Sequence, residues 1–401
     1  MSSKSKTPLR FFLLSGLLGL AGTATAQLNP NKTITTAVPV LTLSPDSRSA
    51  ALGDAGVALS PDANAAYYNA GKLGFVPFNY SVSPSYSPWL RGITDDMGIA
   101  HLSGYARLNP RAAISGSLSY FDLGQVQFRD ANNGDLGNYN PKEYAVSVAY
   151  GQKLSDNFGV GISARFIRSN LTGDGFDARP ANAAAVDLGA YYNKDLTIGA
   201  GQYNLGLGGA ISNIGNKITY TNATQADFLP TNLKLGAALT RELDAYNKIT
   251  FTIDANKLLV PSPYYIQGDT TTALGQPSIG KRINQVNADR RAKGVVGGML
   301  SSFTDAPGGL KEELQEIRLS AGVEYWYNDL LAARVGYMYE NEEKGNRKYL
   351  SFGLGIRYQV FGVDGAYLVP NSNQNPLAQT IRVSLHFNFN KAEEAFGPSN
   401  N

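Results

Sequence analysis

Residues 317–327 read IRLSAGVEYWY. Ile317, Leu319, Ala321, Val323, Tyr325 and Tyr327 alternate with Arg318, Ser320, Gly322, Glu324 and Trp326, the period of two that sends successive side chains to opposite faces of a strand. The same pattern recurs in Phe158, Val160, Ile162, Ala164 and Phe166, again in Phe352, Leu354, Ile356 and Tyr358, and near the end in Ile381, Val383, Leu385, Phe387 and Phe389. In each case one face is apolar and the other is small, polar or charged. Segments of this kind begin near Pro77, Gly98, Arg111, Lys142, Asn157, Ala183, Gly201, Thr231, Lys248, Gln315, Leu330, Arg347, Phe361 and Gln379. They amount to about fourteen strands, an even number in the range of outer-membrane barrels.

A soluble β-sandwich alternates as well, so the connectors decide. Asn109-Pro110, Ser155-Asp156 and Asn328-Asp329 are tight, whereas residues 122–141, 171–182, 215–230 and 258–314 are long. Short turns on one side and long loops on the other are the asymmetry of an outer-membrane barrel, with the short turns periplasmic. Tyr80, Tyr86, Tyr191, Tyr192, Tyr325, Tyr327, Tyr337, Tyr339 and Tyr367 fall near strand ends, where an interfacial girdle is expected. The fold expected is therefore all-β, a transmembrane antiparallel barrel whose outward face meets outer-membrane lipid.

Composition agrees. Of 401 residues 17% are charged, with 43 Gly and 23 Tyr, against about 25% charged in a typical soluble domain. A net charge of +3 gives no reason to expect nucleic acid, and the absence of Cys excludes disulfides and thiolate metal sites. Lys4, Lys6 and Arg10 precede a short apolar run over residues 11–21, and Ala24-Thr25-Ala26 supplies a cleavage site. Residues 1–26 thus read as a signal peptide cleaved after Ala26. No Cys follows, so a lipoprotein is not expected.

Between leader and barrel lies TAVPVLTLSPDSRSAALGDAGVALSPDANAAYYNAG (residues 36–71), rich in Gly and Ala and broken by Pro39, Pro45 and Pro61. It has no period of its own and is expected to fill the lumen as a plug. Residues 27–76 are read as a periplasmic segment and lumen hatch, 77–389 as the barrel, and 390–401 as a periplasmic tail. Both signs of charge are expected inside: Arg165, Asp187, Lys234, Asp254, Arg318, Glu324, Arg334, Glu340, Arg357, Asp364 and Arg382. A structural network is favoured there over an ion path. Pro84 removes a ladder donor from the first strand, so a local bend or a weak seam is expected there. In the long insertion, 258–314, a short helix carrying Val295, Val296, Met299, Leu300 and Phe303 follows Arg290, Arg291 and Lys293. This mixed basic and apolar surface either caps the barrel's own mouth or docks another protein, and Arg290, Arg291, Lys293, Met299, Leu300 and Phe303 are the docking candidates.

Signs of catalysis are few. His101 and His386 are the two histidines, both inward by alternation and in no nucleophile or metal motif. The loop Asp130-Ala131-Asn132-Asn133-Gly134-Asp135 has Gly where a calcium ligand belongs, and it lacks the closing Glu. No enzyme activity, metal or cofactor is expected.

Ser44-Pro45-Asp46-Ser47-Arg48, Leu52-Gly53-Asp54-Ala55-Gly56 and Ser60-Pro61-Asp62-Ala63-Asn64, together with residues 303–314 (FTDAPGGLKEEL), resemble the PorV (LptO) family of type IX secretion outer-membrane barrels. That family belongs to the wider FadL-like barrels of Gram-negative bacteria, here of Bacteroidetes type. The resemblance implies a hatch made by Pro45, Asp46, Ser47, Arg48, Gly53, Asp54, Gly56, Asn69 and Gly71. The usual Asn-Pro-Ala of the hatch reads Asn69-Ala70-Gly71 here. It also implies a role without chemistry: binding the C-terminal signal domains of cargo leaving the translocon barrel SprA/Sov, and delivery to an attachment complex containing PorU. The alternative is a FadL-like channel for fatty acids or other hydrophobic small molecules.

Overall fold

The computed structural model describes residues 32–90, 94–130, 132–171, 179–221, 226–265, 279–371 and 380–390. Residues 1–26, read above as a signal peptide, residues 27–31 and the tail beyond Asn390 lie outside the described residues, as does part of the long insertion.

The strands in chain order are β1 (Tyr80–Pro88), β2 (Gly98–Asn109), β3 (Ala112–Asp122), β4 (Val126–Arg129), β5 (Asp135–Tyr139), β6 (Lys142–Lys153), β7 (Phe158–Asn170) and β8 (Ala181–Ile198). Then follow β9 (Gly201–Gly215), β10 (Asn232–Glu242), β11 (Asn247–Leu258), β12 (Ile317–Tyr327), β13 (Leu331–Tyr339), β14 (Lys348–Tyr358), β15 (Phe361–Pro370) and β16 (Ile381–Phe389). All except β4 and β5 form one closed antiparallel barrel of fourteen strands, each beside its sequence neighbour, with β1 closing on β16. β4 and β5 form a hairpin inside the 122–141 connector, which the sequence reading left as loop. At its tip Asp130 Oδ1 accepts from the Asn132 and Gly134 amides at 2.8 and 2.7 Å, so the calcium-like spacing serves a turn.

The faces are as the alternation dictates. Leu319, Leu354, Ile356 and Val383 are exposed on the outer wall, while Glu324, Arg334, Asp364 and Arg382 are buried within. With lipid outside, a closed ring is the one arrangement of strands that leaves no unpaired edge. Tyr191 departs from the expected girdle. It points inward, 1% exposed, with its ring edge-on to Phe75. The closing seam carries the expected weakness, since β1 and β16 pair Val82 with Phe387 and then Ser85 with Ser384, skipping Ser83 and Pro84.

The plug runs the full height of the lumen, but in the direction opposite to the one expected. The Lys32 amide bonds to the Glu343 carbonyl and that of Ala37 to Phe228, both in long connectors. Further along, Gly74 packs against Lys153, and Asn79 bonds to Phe389 at the short-turn rim, where β1 begins. Residues 32–37 therefore lie at the outer mouth, and reading them as periplasmic is corrected. The physical cause is charge: Lys32 finds Glu312 and Glu343 at 3.2 and 3.3 Å in the outer loops.

The insertion holds three helices among its described residues where one was expected: α3 (Ile279–Ala292), α4 (Val295–Ser301) and α5 (Leu310–Gln315). Two shorter helices, α1 (Ser47–Ala50) and α2 (Ala65–Tyr68), lie in the hatch.

Candidate functional site

The hatch is built from caps and glycine contacts rather than from a core of its own. Asp46 caps α1, accepting from the Ser49 amide at 3.0 Å, and its other oxygen takes the Tyr68 hydroxyl at 2.6 Å. The chain turns at Gly53 and Asp54, both with φ near 68°. Asp54 then accepts from Tyr349 of the wall. The Gly56 and Val57 amides both donate to Asp254 of β11, at 2.7 and 2.9 Å. Asn69 accepts from the Gly71 amide and donates 2.8 Å to the Ala190 carbonyl of β8. Pro45 is buried, and the Ser47 amide donates to Ser384 at 2.9 Å, beside the β1–β16 seam. Gly71 is needed for approach rather than for turning, because a Cβ there would lie 3.0 Å from the Ala190 Cα.

The wall answers with glycines of its own. A Cβ on Gly336 would sit 2.1 Å from the Gly53 nitrogen, and one on Gly161 2.3 Å from the Ala70 carbonyl carbon. One on Gly208 would sit 2.3 Å from the Val57 oxygen. Small inward residues, read from the sequence as part of the polar face, are thus seats into which the hatch backbone fits.

One ionic latch joins the two parts. Arg48 of the hatch reaches Glu324 of β12 through two hydrogen bonds, at 2.9 and 2.8 Å, and meets Asp62 at 3.1 Å. Glu324 also holds Arg334 at 2.7 Å, Arg334 holds Asp364 at 2.9 Å, and Asp364 takes Arg357 and His386 at 2.7 and 2.9 Å. Signs alternate from Asp62 through Arg48, Glu324, Arg334 and Asp364 to Arg357, the arrangement that offsets the desolvation of buried charge. This is the structural network favoured by the sequence reading. The Arg48–Asp62 contact joins two of the hatch motifs and was not foreseen.

At the outer mouth a second cluster was missed. Glu312 bonds to Lys32 and Lys344, Glu316 to Lys344 and Lys257, and Glu313 to Lys257, all within 3.2 Å. The signal was an inverted α5, whose glutamates are buried while Leu310 and Leu314 are 75% and 59% exposed. Burial pushes Glu312 upward, but the hydrogen bonds from Lys344 and Lys32 outweigh it and hold the carboxyl below its usual 4.5. Lys32 is correspondingly raised above 10.5, the pull of Glu312 and Glu343 exceeding its burial. A depressed acid stabilises at pH above its unfolded value and loses that contribution as pH falls through the folded one. A raised lysine loses its contribution only as pH rises through its folded value. The Lys32–Glu312 contact is therefore expected to hold between about pH 4.5 and 10.5, loosening in acid below that window and in base above it. Amide exchange at residues 32–37, followed from pH 7 down to about 3, checks this, and unchanged protection in acid would contradict it.

The residues expected to dock a protein separate into two groups. Arg290 is turned inward: it donates to the Ser262 and Asp305 carbonyls and stacks 5.4 Å from the Tyr264 ring, stapling the insertion to itself. Arg291 is exposed, with its carbonyl taken by Lys217, and Lys293 is half-buried, its amide donating to Arg290. Met299 is half-buried, whereas Leu300 and Phe303 stand out with Val296, at 69%, 45% and 65% exposed. Those three share one helical stripe, although Phe303 lies past the end of α4.

Residues 26–265, more than half of the sequence, match the family described as "Type IX secretion system protein PorV". The chain belongs to the PorV family. PorV proteins are outer-membrane barrels of type IX secretion and not enzymes in kind. Among solved structures, this PorV-family chain is similar to the Ralstonia pickettii toluene transporter TbuX, at 10% identity over 86% of this chain and 98% of that one, TM-score 0.43. It is also similar to the Pseudomonas putida toluene transporter TodX, at 12% identity over 86% and 97%, TM-score 0.46. A Pseudomonas aeruginosa FadL homologue aligns at 11% identity over 90% and 100%, TM-score 0.41. A search of curated proteins finds no match.

Proposed function

We propose that this chain receives the C-terminal signal domain of type IX cargo at its outer face as it leaves the SprA/Sov translocon, and carries it to the PorU-containing attachment complex. Membership of the PorV family carries the reading. The lumen supports it: the hatch occupies its full height, seated on wall glycines and latched by Arg48 and Glu324, so protein contacts fall to the outer loops. The exposed Val296, Leu300 and Phe303, with Arg291 nearby, offer an apolar and basic surface of the kind a reversible contact uses.

Deleting the gene is expected to leave signal-domain proteins trapped in the periplasm. Restoring a chain with Leu300→Asp and Phe303→Asp should return the barrel to the membrane but recover secretion only in part. Normal secretion in the deletion strain would overturn the proposal; full recovery by the double variant would remove α4 from it. A channel for hydrophobic molecules would require the hatch to leave its seats, and saturable fatty-acid uptake by liposomes holding the purified barrel would favour that reading instead.

A further inference from the structure

On the lipid-facing side, the wall over β6 to β10 is indented by a groove of about 570 Å³. Tyr150, Ile162, Leu188 and Leu235 stand up around it, and Ala190 and Gly209 lie among them as its low points. The groove has a structural cause. β8 and β9 shift register between Val186 and Leu188, and Asn213 adopts φ 61°. Asp187 pins the irregularity, taking the Asn213 amide at 2.6 Å and Arg165 at 2.8 Å. A bulge bends its strand and sharpens the local twist, which here draws the wall inward. On the inner side the hatch holds the same place, with Asn69 bonded to the Ala190 carbonyl.

We propose that this groove binds an acyl chain of a phospholipid from the periplasmic leaflet. The groove is continuous with the outward apolar belt, so hydrocarbon is what surrounds it. Lipid tails are as apolar as leucine, so retention comes from packing rather than from the hydrophobic effect, and a bent wall with small residues at its floor supplies that packing. The leaflet follows from the polar end. On β6 the Tyr150 hydroxyl donates 2.9 Å to the Gln152 side chain, just before Lys153 at the short-turn rim. That exposed pair lies where a headgroup of the periplasmic leaflet would sit, whereas Lys153 turns inward onto the Phe75 ring of the hatch, 4.4 Å from its centre.

The test is to purify the full barrel from its native membrane in mild detergent and measure retained phospholipid by native mass spectrometry, beside Gly209→Leu. A Cβ at Gly209 meets only the Leu235 side chain, at 3.5 Å, so the substitution fills the groove without touching the hatch. Retention is expected to fall about tenfold in the filled variant, with heat-modifiable gel migration unchanged. A second measurement does not depend on that variant: Leu188→Trp, in vesicles of phosphatidylethanolamine carrying brominated chains, should be quenched more strongly than Leu354→Trp on the open wall. Equal retention in both proteins, no retained lipid in either, or equal quenching at the two tryptophans would each overturn the proposal. So would loss of a co-purifying membrane protein, rather than lipid, from Gly209→Leu.

Discussion

Gly336→Val is expected to unseat the hatch and convert a closed barrel into a conducting one. The added Cβ would lie 2.1 Å from the Gly53 nitrogen and 2.2 Å from the Leu52 carbonyl carbon. Both are backbone atoms, which have no rotamer to retreat into. Overpacking usually costs about 1–3 kcal/mol when side chains can yield, and this contact belongs at or above the upper end. β13 is held on both sides by nine-residue ladders, so the plug is the part that moves. Conductance in planar bilayers checks the result: small steps or none for the native protein, and frequent openings for the variant. Gly116→Val is the control, because nothing lies within 4 Å of its Cβ position and no opening should appear. A silent Gly336→Val barrel with normal thermal behaviour would mean that the hatch is not held by these seats.

The second large effect is expected from Glu324→Ala. Glu324 is 1% exposed and is shared by Arg48 and Arg334, so its removal leaves two buried guanidinium groups short of a counter-charge. Breaking a buried pair from one side costs about 3–5 kcal/mol, mostly through the charge left behind. Arg334 retains Asp364 and Arg48 retains Asp62, which places the expected loss toward the lower figure. The variant should lose its heat-modifiable form at lower temperature and expose the hatch to added protease. Because Arg48 and Glu324 act through one contact, the double variant Arg48→Ala/Glu324→Ala should lose less than the two single losses added together. Simple additivity would mean that the latch is not a unit.

The barrel was legible in the sequence because lipid on one side and a packed lumen on the other impose strict alternation. Every barrel strand begins within three residues of where the period places it, from Tyr80 to Ile381. Pro84 announced the seam for the same reason, since a missing N–H is a property of one residue. What stayed hidden depends on partners far away in the chain. Nothing near Lys32 reveals that its carboxylates lie some 280 positions later, so the direction of the plug was misread. Arg290 looked free beside Arg291 because its acceptors, the carbonyls of Ser262 and Asp305, are main-chain atoms that leave no mark in the sequence. Tyr191 failed because alternation places a side chain on a face only if the strand phase is known, and one girdle-like residue cannot set it. The hatch motifs marked the right segment. Its seats are wall glycines such as Gly161 and Gly336, whose spacing has meaning only once the strands are curled.

Residues 32–37 held at the outer mouth, with the next strand starting at the opposite rim, bear on the order of assembly. To enter a finished cylinder from the periplasm, the N-terminal stretch would have to carry Lys32 the full height of the lumen, past the buried wall charges Glu324, Arg334 and Asp364, before it reached Glu312 and Glu343. Wrapping of the sheet around a stretch already laid across it avoids that passage, and the ring would then close by pairing the first strand with the sixteenth. That pairing is also the one missing two rungs at Ser83 and Pro84. A join that zips late and loosely gives an insertion machine a place to hold the sheet open until the chain end is inside.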